Sequence, residues 1–483
     1  MSNQGLKTRA EDYAQWYLDV IHAADLAEHA PVRGCMIIKP WGYGIWERMQ
    51  RVLDGFIKDT GHENAYFPLF IPQSMLQKEA DHIEGFAPEC AVVTMGGGKE
   101  LEEPLYVRPT SEAIICASYA KWVSSWRDLP IKINQWANVV RWEMRPRLFL
   151  RTLEFLWQEG HTAHETHDEA LAEVMTMLDV YARFAEETLA VPVIRGVKTA
   201  SERFPGAVDT YCIEAMMQDG KALQAGTSHD LGQNFAKTYG IQFQPRDAGL
   251  GLQHAWSTSW GVTTRLIGAL IMTHADDLGM VVPPALAPIQ VVVVPIYKTD
   301  EEMKELSAEC SRIADELTRV GVRAKADLRD NLRPGAKFFE WEKKGVPVRL
   351  ALGPRDKAEG KVEMKKRIAA DPKAKEFVPI ATLTTALPDV LADIQRAMLD
   401  RARAYRSQRS FVTDSYAEFK AKVEDGGFHH MRWCGKPECE AKVKDETKAT
   451  IRCIPFESQP DAGPCAICGG SATGKRAVFA RAY

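Results

Sequence analysis

Between Ile45 and Phe56 the apolar residues Ile45, Met49, Val52, Leu53 and Phe56 recur at the three- and four-residue spacing of one helix face. Gly61 closes that segment and Pro40 sits just ahead of it. The run AYFPLFIP, Ala65 to Pro72, follows, and its prolines predict a strand near a sheet edge. The stretch VVRWEMRPRLFLRTLEF, Val139 to Phe155, has a different period. In VVRWE, Arg141 and Glu143 would project to one face of a strand and Val140 and Trp142 to the other. Past the Arg-Pro-Arg turn, Arg151, Leu153, Phe155, Trp157, Glu159 and His161 share a second alternating face, so the two runs predict an antiparallel hairpin with a functional side.

Clustered prolines in MVVPPALAP, Met280 to Pro288, stop any helix and predict a linker. Beyond it IQVVVVPIY reads as a buried strand. Met303, Leu306, Cys310, Ile313, Leu317 and Val320 then mark a helix capped by Gly321. VRAKADL is the next strand, Pro334 to Lys344 a helix and VPVRLALG a further strand, an alternation that predicts an α/β unit with parallel strands. It holds no glycine-rich phosphate loop, so nothing assigns it a nucleotide. From about Arg401 the chain turns polar and irregular. The expected division is 1–285, 286–400 and 401–483, which suits a length of 483 residues, too many for a single core.

A hydrophobic share of 45% with 26% charged residues is that of a soluble globular protein. The formal charge of −4 neither requires nor excludes a polyanion, because a local basic groove is compatible with an acidic whole. The opening residues lack the succession of a signal peptide, and no run approaches the roughly 18 apolar residues of a spanning helix, so the expected location is the cytoplasm. Of ten cysteines, Cys434, Cys439, Cys453, Cys465 and Cys468 crowd into the last stretch. CGKPEC and CAIC place Cys434 with Cys439 and Cys465 with Cys468 at spacings that suit paired thiolates on tetrahedral Zn²⁺. Four ligands close the sphere, so such a metal is structural; disulfides are the alternative, without a secretory context to favour them. Cys453 has no close partner in sequence and is left out.

The Val139–Phe155 stretch carries the candidate chemistry. Guanidinium pairs phosphate oxygens bidentately and an aromatic ring stacks on a base. Arg141, Arg151 and Phe155 supply those groups for ATP, and Glu143 could accept from an adenine amino group. A surface hairpin with Arg–Glu pairs over an aromatic core satisfies the same spacing.

Three segments in order break that tie. RWEMRPRLFLRTLEF resembles motif 2 of the class II aminoacyl-tRNA synthetases, Gly34 to Pro40 with its helix is similar to motif 1, and WGVTTRLIGALIMTHADD, with Arg265, is similar to motif 3. RPTSE at Arg108 to Glu112, FLWQEGHTAH at Phe155 to His164, QAGTSHDLGQNFAK at Gln224 to Lys237, the cysteine tail and the terminal ARAY resemble the prolyl-tRNA synthetase family of the archaeal and eukaryote-like type. The likeness runs from about residue 10 to Tyr483. It implies an α+β chain: a class II catalytic domain on an antiparallel sheet over 1–285, an α/β anticodon-binding domain over 286–400, and a small zinc-binding α/β domain over 401–483.

Carried over by resemblance, Arg141 would meet the α-phosphate and the amino-acid carboxylate, and Arg151 with Thr152 the distal phosphates or base edge. Arg265 would cover the other face of adenine and meet the γ-phosphate, with Thr263, Gln224 and Thr227 in the nucleotide site. Thr110 and Glu112 would bind the imino acid's ammonium, and Phe155, Trp157, Phe204 and His229 would shape the pocket round its ring. Glu340 and Arg355 are candidate contacts to anticodon guanines. The family likeness further implies L-proline, ATP, Mg²⁺ and tRNA(Pro) as ligands, a homodimer across motif 1, and a terminal tyrosine reaching toward the active-site region. The threonyl and glycyl synthetases of the same subclass are the nearest alternative. The interval from Phe155 to Arg265 is filled by family segments, so no editing domain is expected there, and MRPRLFL makes a short motif 2 loop.

Overall fold

In the computed structural model, which describes residues 6–77, 90–371 and 374–483, Pro40 opens the predicted helix instead of preceding it; the helix runs Pro40–Asp59. A proline is tolerated at that position because the first amides of a helix have no partner within it. Ile45, Met49 and Leu53 of the apolar stripe are buried, joined by Trp41, Trp46 and Ile57. Gly42 allows the helix to lie directly on the chain before it, since a Cβ there would meet the Leu26 carbonyl oxygen at 2.3 Å. The AYFPLFIP strand is shorter than expected. It forms only over Phe70–Pro72, at the edge of a three-stranded sheet with Lys99–Val107 and Ala91–Gly96. Pro68 has no amide for a ladder, and the Phe67 amide donates to the Gln135 side chain at 2.5 Å instead.

Among the described residues the main sheet has eleven strands. Seven of them run in the order Val193–Val197, Asp209–Met216, Ala222–Gly232, Trp256–Thr263, Glu154–His164, Ile131–Val140, Glu63–Asn64. All of these pairs are antiparallel except the last. One face packs on the His167–Arg183 helix, where Ser228 Oγ donates to the Val174 carbonyl at 2.9 Å and the Tyr181 and Trp260 rings meet edge to face. The other face is open to a cleft.

Met280–Pro288 is irregular, as the prolines require, yet it is packed rather than free. Met280, Val281, Val282, Leu286 and Ala287 are buried, and the Met280 amide donates to the Lys343 carbonyl at 2.9 Å. The second unit is not all-parallel. Val291–Pro295 pairs parallel with Ala324–Ala326 and Val348–Leu352, but Lys361–Lys366 and Glu376–Pro379 extend the sheet antiparallel. The return from Leu352 to Lys361 holds one turn of helix, Pro354–Ala358, too little chain for the crossover that parallel neighbours need.

The Leu383–Gln408 helix passes through residues 400 and 401, where the sequence places a boundary. After it come Ser410–Val412, Phe428–Arg432, the Pro437–Thr447 helix, Thr450–Pro455 and Arg476–Ala480. These strands do not form a sheet of their own. Thr450–Pro455 pairs antiparallel with Val193–Val197 through Ile454 opposite Val197 and Pro455 opposite Gly196, so the tail continues the main sheet. Among the described residues no helix is long and apolar enough to cross a membrane.

Candidate active site

The predicted hairpin is present, with Ile131–Val140 antiparallel to Glu154–His164 and Val139 opposite Phe155. Arg141 and Glu143 lie just beyond the first strand, not within it. The Arg141 amide still reaches the Leu153 carbonyl at 2.8 Å, one rung past the ladder. Arg151 and Leu153 likewise precede the second strand. Residues 141–153 between the strands make a longer connection than MRPRLFL alone, and its apolar part is anchored. Leu148, Phe149 and Leu150 are buried, Phe149 takes a left-handed φ of 62°, and the Leu153 amide donates to the Gly34 carbonyl at 2.9 Å. Motif 1 thereby braces motif 2.

Phe155, Trp157, Glu159 and His161 all face the cleft, a cavity of about 490 Å³. Every catalytic-unit residue expected from the sequence lines it: Thr110 and Glu112, Arg141, Glu143, Arg151 and Thr152, Phe155 and Trp157, Phe204, Gln224, Thr227 and His229, Thr263 and Arg265. Gln224 reaches this face only through a β-bulge. Thr227 and His229 are two apart and share a side; Gln224 is three from Thr227 and would point away, but the register shift opposite Ile213 and Glu214 turns it back.

The guanidiniums occupy one end of the cleft. Arg141 Nε donates to the Pro109 carbonyl at 2.9 Å, and its charged carbon stands 5.7 Å from the Phe155 ring centre and 5.5 Å from that of Trp157. Arg265 opens its helix, Nε 3.3 Å from the Leu150 carbonyl. Burial, together with the charges of Arg151 and Arg141, lowers the Arg265 pKa to about 10, so it stays a cation at neutral pH. Arg151 is half exposed, with Glu143 at 3.8 Å as its nearest carboxylate. Such mutual repulsion is the electrostatic signature of a site built for a polyanion.

The other end is closed and acidic. Thr110 Oγ1 donates to the buried Glu112 carboxylate. The Phe204 and His229 rings lie 4.6 Å apart, tilted by 32°. His229 Nδ1 is 3.0 Å from Thr210 Oγ1, and burial, against the pull of Glu112, lowers its pKa to about 4. Beneath it lies a network whose Glu159 and His161 the strand period places on this face without a role. Glu159 accepts from Ser111 Oγ at 2.5 Å and Gln135 Nε2 at 2.8 Å, and it lies 2.9 Å from His161 Nε2. Burial works to lower the His161 pKa, but Glu159 and Glu112 outweigh it and raise it. Glu159 and His161 stand on the same alternating face as Trp157, and that period was the signal available. Among the described residues Trp157 Nε1 and Ser259 Oγ, both on the cavity wall, meet no protein hydrogen-bond partner.

Two expected sites lie elsewhere. The sulfur atoms of Cys434, Cys439, Cys465 and Cys468 fall within 4.8 Å of one another. Cys453 is not among them; it is buried beside Cys212, and that thiol together with burial pushes its pKa up. Glu340 is held by Arg329 at 2.9 Å and Lys344 at 3.0 Å, and the exposed Arg355 pairs with Glu359 at 3.0 Å.

Residues 93–274 match the tRNA synthetase class II core domain (G, H, P, S and T), 290–389 an anticodon binding domain, and 416–483 the C-terminal domain of prolyl-tRNA synthetase. A proline--tRNA ligase of Bacteroides fragilis is 55% identical over 99% of this chain and 99% of its own. One of Christiangramia forsetii is 53% identical over 99% of this chain and all of its own. The crystal structure of prolyl-tRNA synthetase from Cryptosporidium parvum, complexed with halofuginone and AMPPNP, superposes with a TM-score of 0.93 at 40% identity, covering 99% of each chain.

Proposed function

The chain belongs to the prolyl-tRNA synthetase family, class II ligases that join proline to tRNA, and from that premise we propose how its residues divide the reaction. The observation that carries the assignment is the meeting of Arg141, Arg151 and Arg265 at one end of a cleft whose other end is lined by Glu112, Phe204 and His229. ATP lies along the guanidiniums, with adenine between Phe155 and Arg265, and Glu143, Gln224, Thr227 and Thr263 at its edges. Proline occupies the closed end. Its ammonium donates to Glu112 and Thr110, which the network under Glu159 holds in place, and its ring packs against Trp157, Phe204 and neutral His229.

The prolyl carboxylate, already ionised, attacks the α-phosphorus; the bond to the β-phosphate breaks and pyrophosphate leaves. No general base is needed, so positioning and charge neutralisation supply the rate. Arg141, held through Nε, stands where carboxylate and α-phosphate meet. In the second step the terminal ribose hydroxyl of tRNA(Pro) attacks the prolyl carbonyl and AMP leaves. Mg²⁺, when bound with ATP, would neutralise further phosphate charge; held mainly by nucleotide oxygens, it needs one or two protein carboxylates, and Glu202 on the cavity wall would be one.

Zn²⁺ fits the four thiols. Zn–S bonds of about 2.3 Å set the edges of a tetrahedron near 3.8 Å, and Cys434 lies 3.5 Å from Cys439 and 3.8 Å from Cys468. We place the enzyme in the cytoplasm as a homodimer through motif 1, with Glu340 and Arg355 able to turn from their intramolecular partners to anticodon bases. Editing in cis is not part of this reading, because residues 155–265 are used up by strands of the main sheet and the elements packed on it. The threonyl and glycyl alternatives are not supported by full-length relatives named for proline.

Pyrophosphate exchange measured with each amino acid tests the reading. Proline alone should support fast exchange, and exchange driven by threonine or glycine instead would overturn it. Purified enzyme should leave alanyl-tRNA(Pro) intact.

A further inference from the structure

Three consecutive cross-strand pairs stand on the cleft face of the sheet: Thr210 opposite His229, Cys212 opposite Thr227, and Glu214 opposite Gln224. Directly opposed residues of an antiparallel pair share a side, so Glu214 lies behind Gln224 at the nucleotide end. It is fully buried, and it is not alone. Lys198 Nζ donates to Glu214 Oε1 at 2.8 Å. Arg452, which the Thr450–Pro455 strand brings from the residue 416–483 unit, donates to both carboxylate oxygens, from Nη2 to Oε1 at 3.0 Å and from Nε to Oε2 at 3.2 Å. Lys198 Nζ also donates to the Arg452 carbonyl at 2.7 Å, and Arg452 Nη1 to Thr450 Oγ1 at 2.9 Å. Two cations and one carboxylate leave one net positive charge in a dry interior.

We propose that Arg452 is a positioning residue for the nucleotide: by sharing Glu214 with Lys198 it leaves a buried cluster of net charge +1 behind Gln224 and Arg265, and that charge strengthens the hold on the triphosphate of ATP. The proposal rests on the nucleotide site assigned above. A charge buried at low dielectric is screened far less than one in water, so it acts across the few residues that separate it from the cleft. Arg265 feels two of the three, its cation favoured by Glu214 and, less strongly, opposed by Arg452, so Arg452 offsets part of the Glu214 charge there. Burial works to raise the Glu214 pKa, yet Lys198 and Arg452 overcome it and keep the carboxylate ionised. Glu202 also acts on Arg452, but it lies on the cleft wall, where solvent reaches it. Without Arg452 the cluster is neutral, and an extra share of Glu214's charge falls on Arg265. The tail thus reaches the chemistry through electrostatics, without touching substrate.

The test uses the full-length enzyme, with R452M, E214Q and the R452M/E214Q pair assayed by pyrophosphate exchange while ATP and proline are varied separately. Coupling between distinct sites is commonly worth about fivefold or more. R452M should raise KM for ATP by about that factor with KM for proline unchanged, and the double variant, again at net +1 through Lys198, should recover the ATP value. A structural role alone would move both KM values and kcat with the melting temperature, and the pair would not separate them. An ATP KM within twofold of wild type in folded R452M, or no recovery in the pair, overturns the proposal. If R452M fails to fold, E214Q decides, because it should lower the ATP KM and an unchanged value refutes the idea. Proline-dependent exchange by the wild type keeps failure of this inference distinct from failure of the assigned reaction.

Discussion

Arg141 Nε donates to the carbonyl of Pro109 at 2.9 Å, tying the motif 2 arginine to the segment that carries Thr110 and Glu112. The bond fixes the Nε edge of the guanidinium beside the cleft. On the proposed reading, this contact helps set the nucleotide and amino-acid ends of the cleft in register.

Arg141→Ala should lower proline-dependent pyrophosphate exchange by about 100-fold or more, the usual cost of removing a preorganised donor to developing charge. Circular dichroism and the melting temperature should stay near wild type, since the side chain lies at the cleft wall, partly exposed, and not in the core. Retained exchange would remove Arg141 from the chemistry.

Glu112→Gln keeps the shape of the ammonium pocket and deletes its charge. A hydrogen bond to a charged group is worth about 1.5–3 kcal/mol, so KM for proline should rise about 10- to 100-fold while KM for ATP holds. Equal rises in both would place Glu112 in general folding rather than in proline recognition.

His229 gives a pH dependence of stability with a defined sign. The folded protein keeps the ring neutral down to about pH 4, whereas the unfolded chain protonates it near its ordinary pKa of about 6.5. Between those values the unfolded state binds more protons, so stability falls as pH drops from about 6.5 toward 4. His164 and His274, also lowered by burial, act in the same direction. His229→Gln should flatten part of the acid decline in melting temperature; an identical slope would count against a neutral His229.

Metal analysis should find one zinc per chain, lost from Cys439→Ser or Cys468→Ser. Cys439 and Cys465 lie in one core with Trp433, Val443, Ala477 and Phe479. Removing the ion should speed amide exchange in Phe428–Arg432 and Arg476–Ala480 first. Exchange that stays unchanged after chelation would argue against a structural metal.

Much of the site was legible because its residues sit on regular strands or in short motifs. The two-residue period from Phe155 to His161 placed Trp157 in the cleft, and it carried Glu159 and His161 there too. Gln224 was not readable from spacing, since only the bulge turns it to the same face as Thr227 and His229. Nor was the mixed sheet of the second unit, where a short return, not residue composition, fixes strand direction. Least visible was the pairing of Thr450–Pro455 with Val193–Val197, partners more than 250 residues apart whose register no local pattern encodes.

That shared sheet has a consequence for synthesis on the ribosome. Until Thr450–Pro455 emerges, Val193–Val197 is a bare edge with unpaired amides and carbonyls, the kind of strand that recruits wrong neighbours. A message truncated before that point would then yield an aggregation-prone fragment instead of a slow enzyme, and nascent chains would depend on chaperones through most of their elongation.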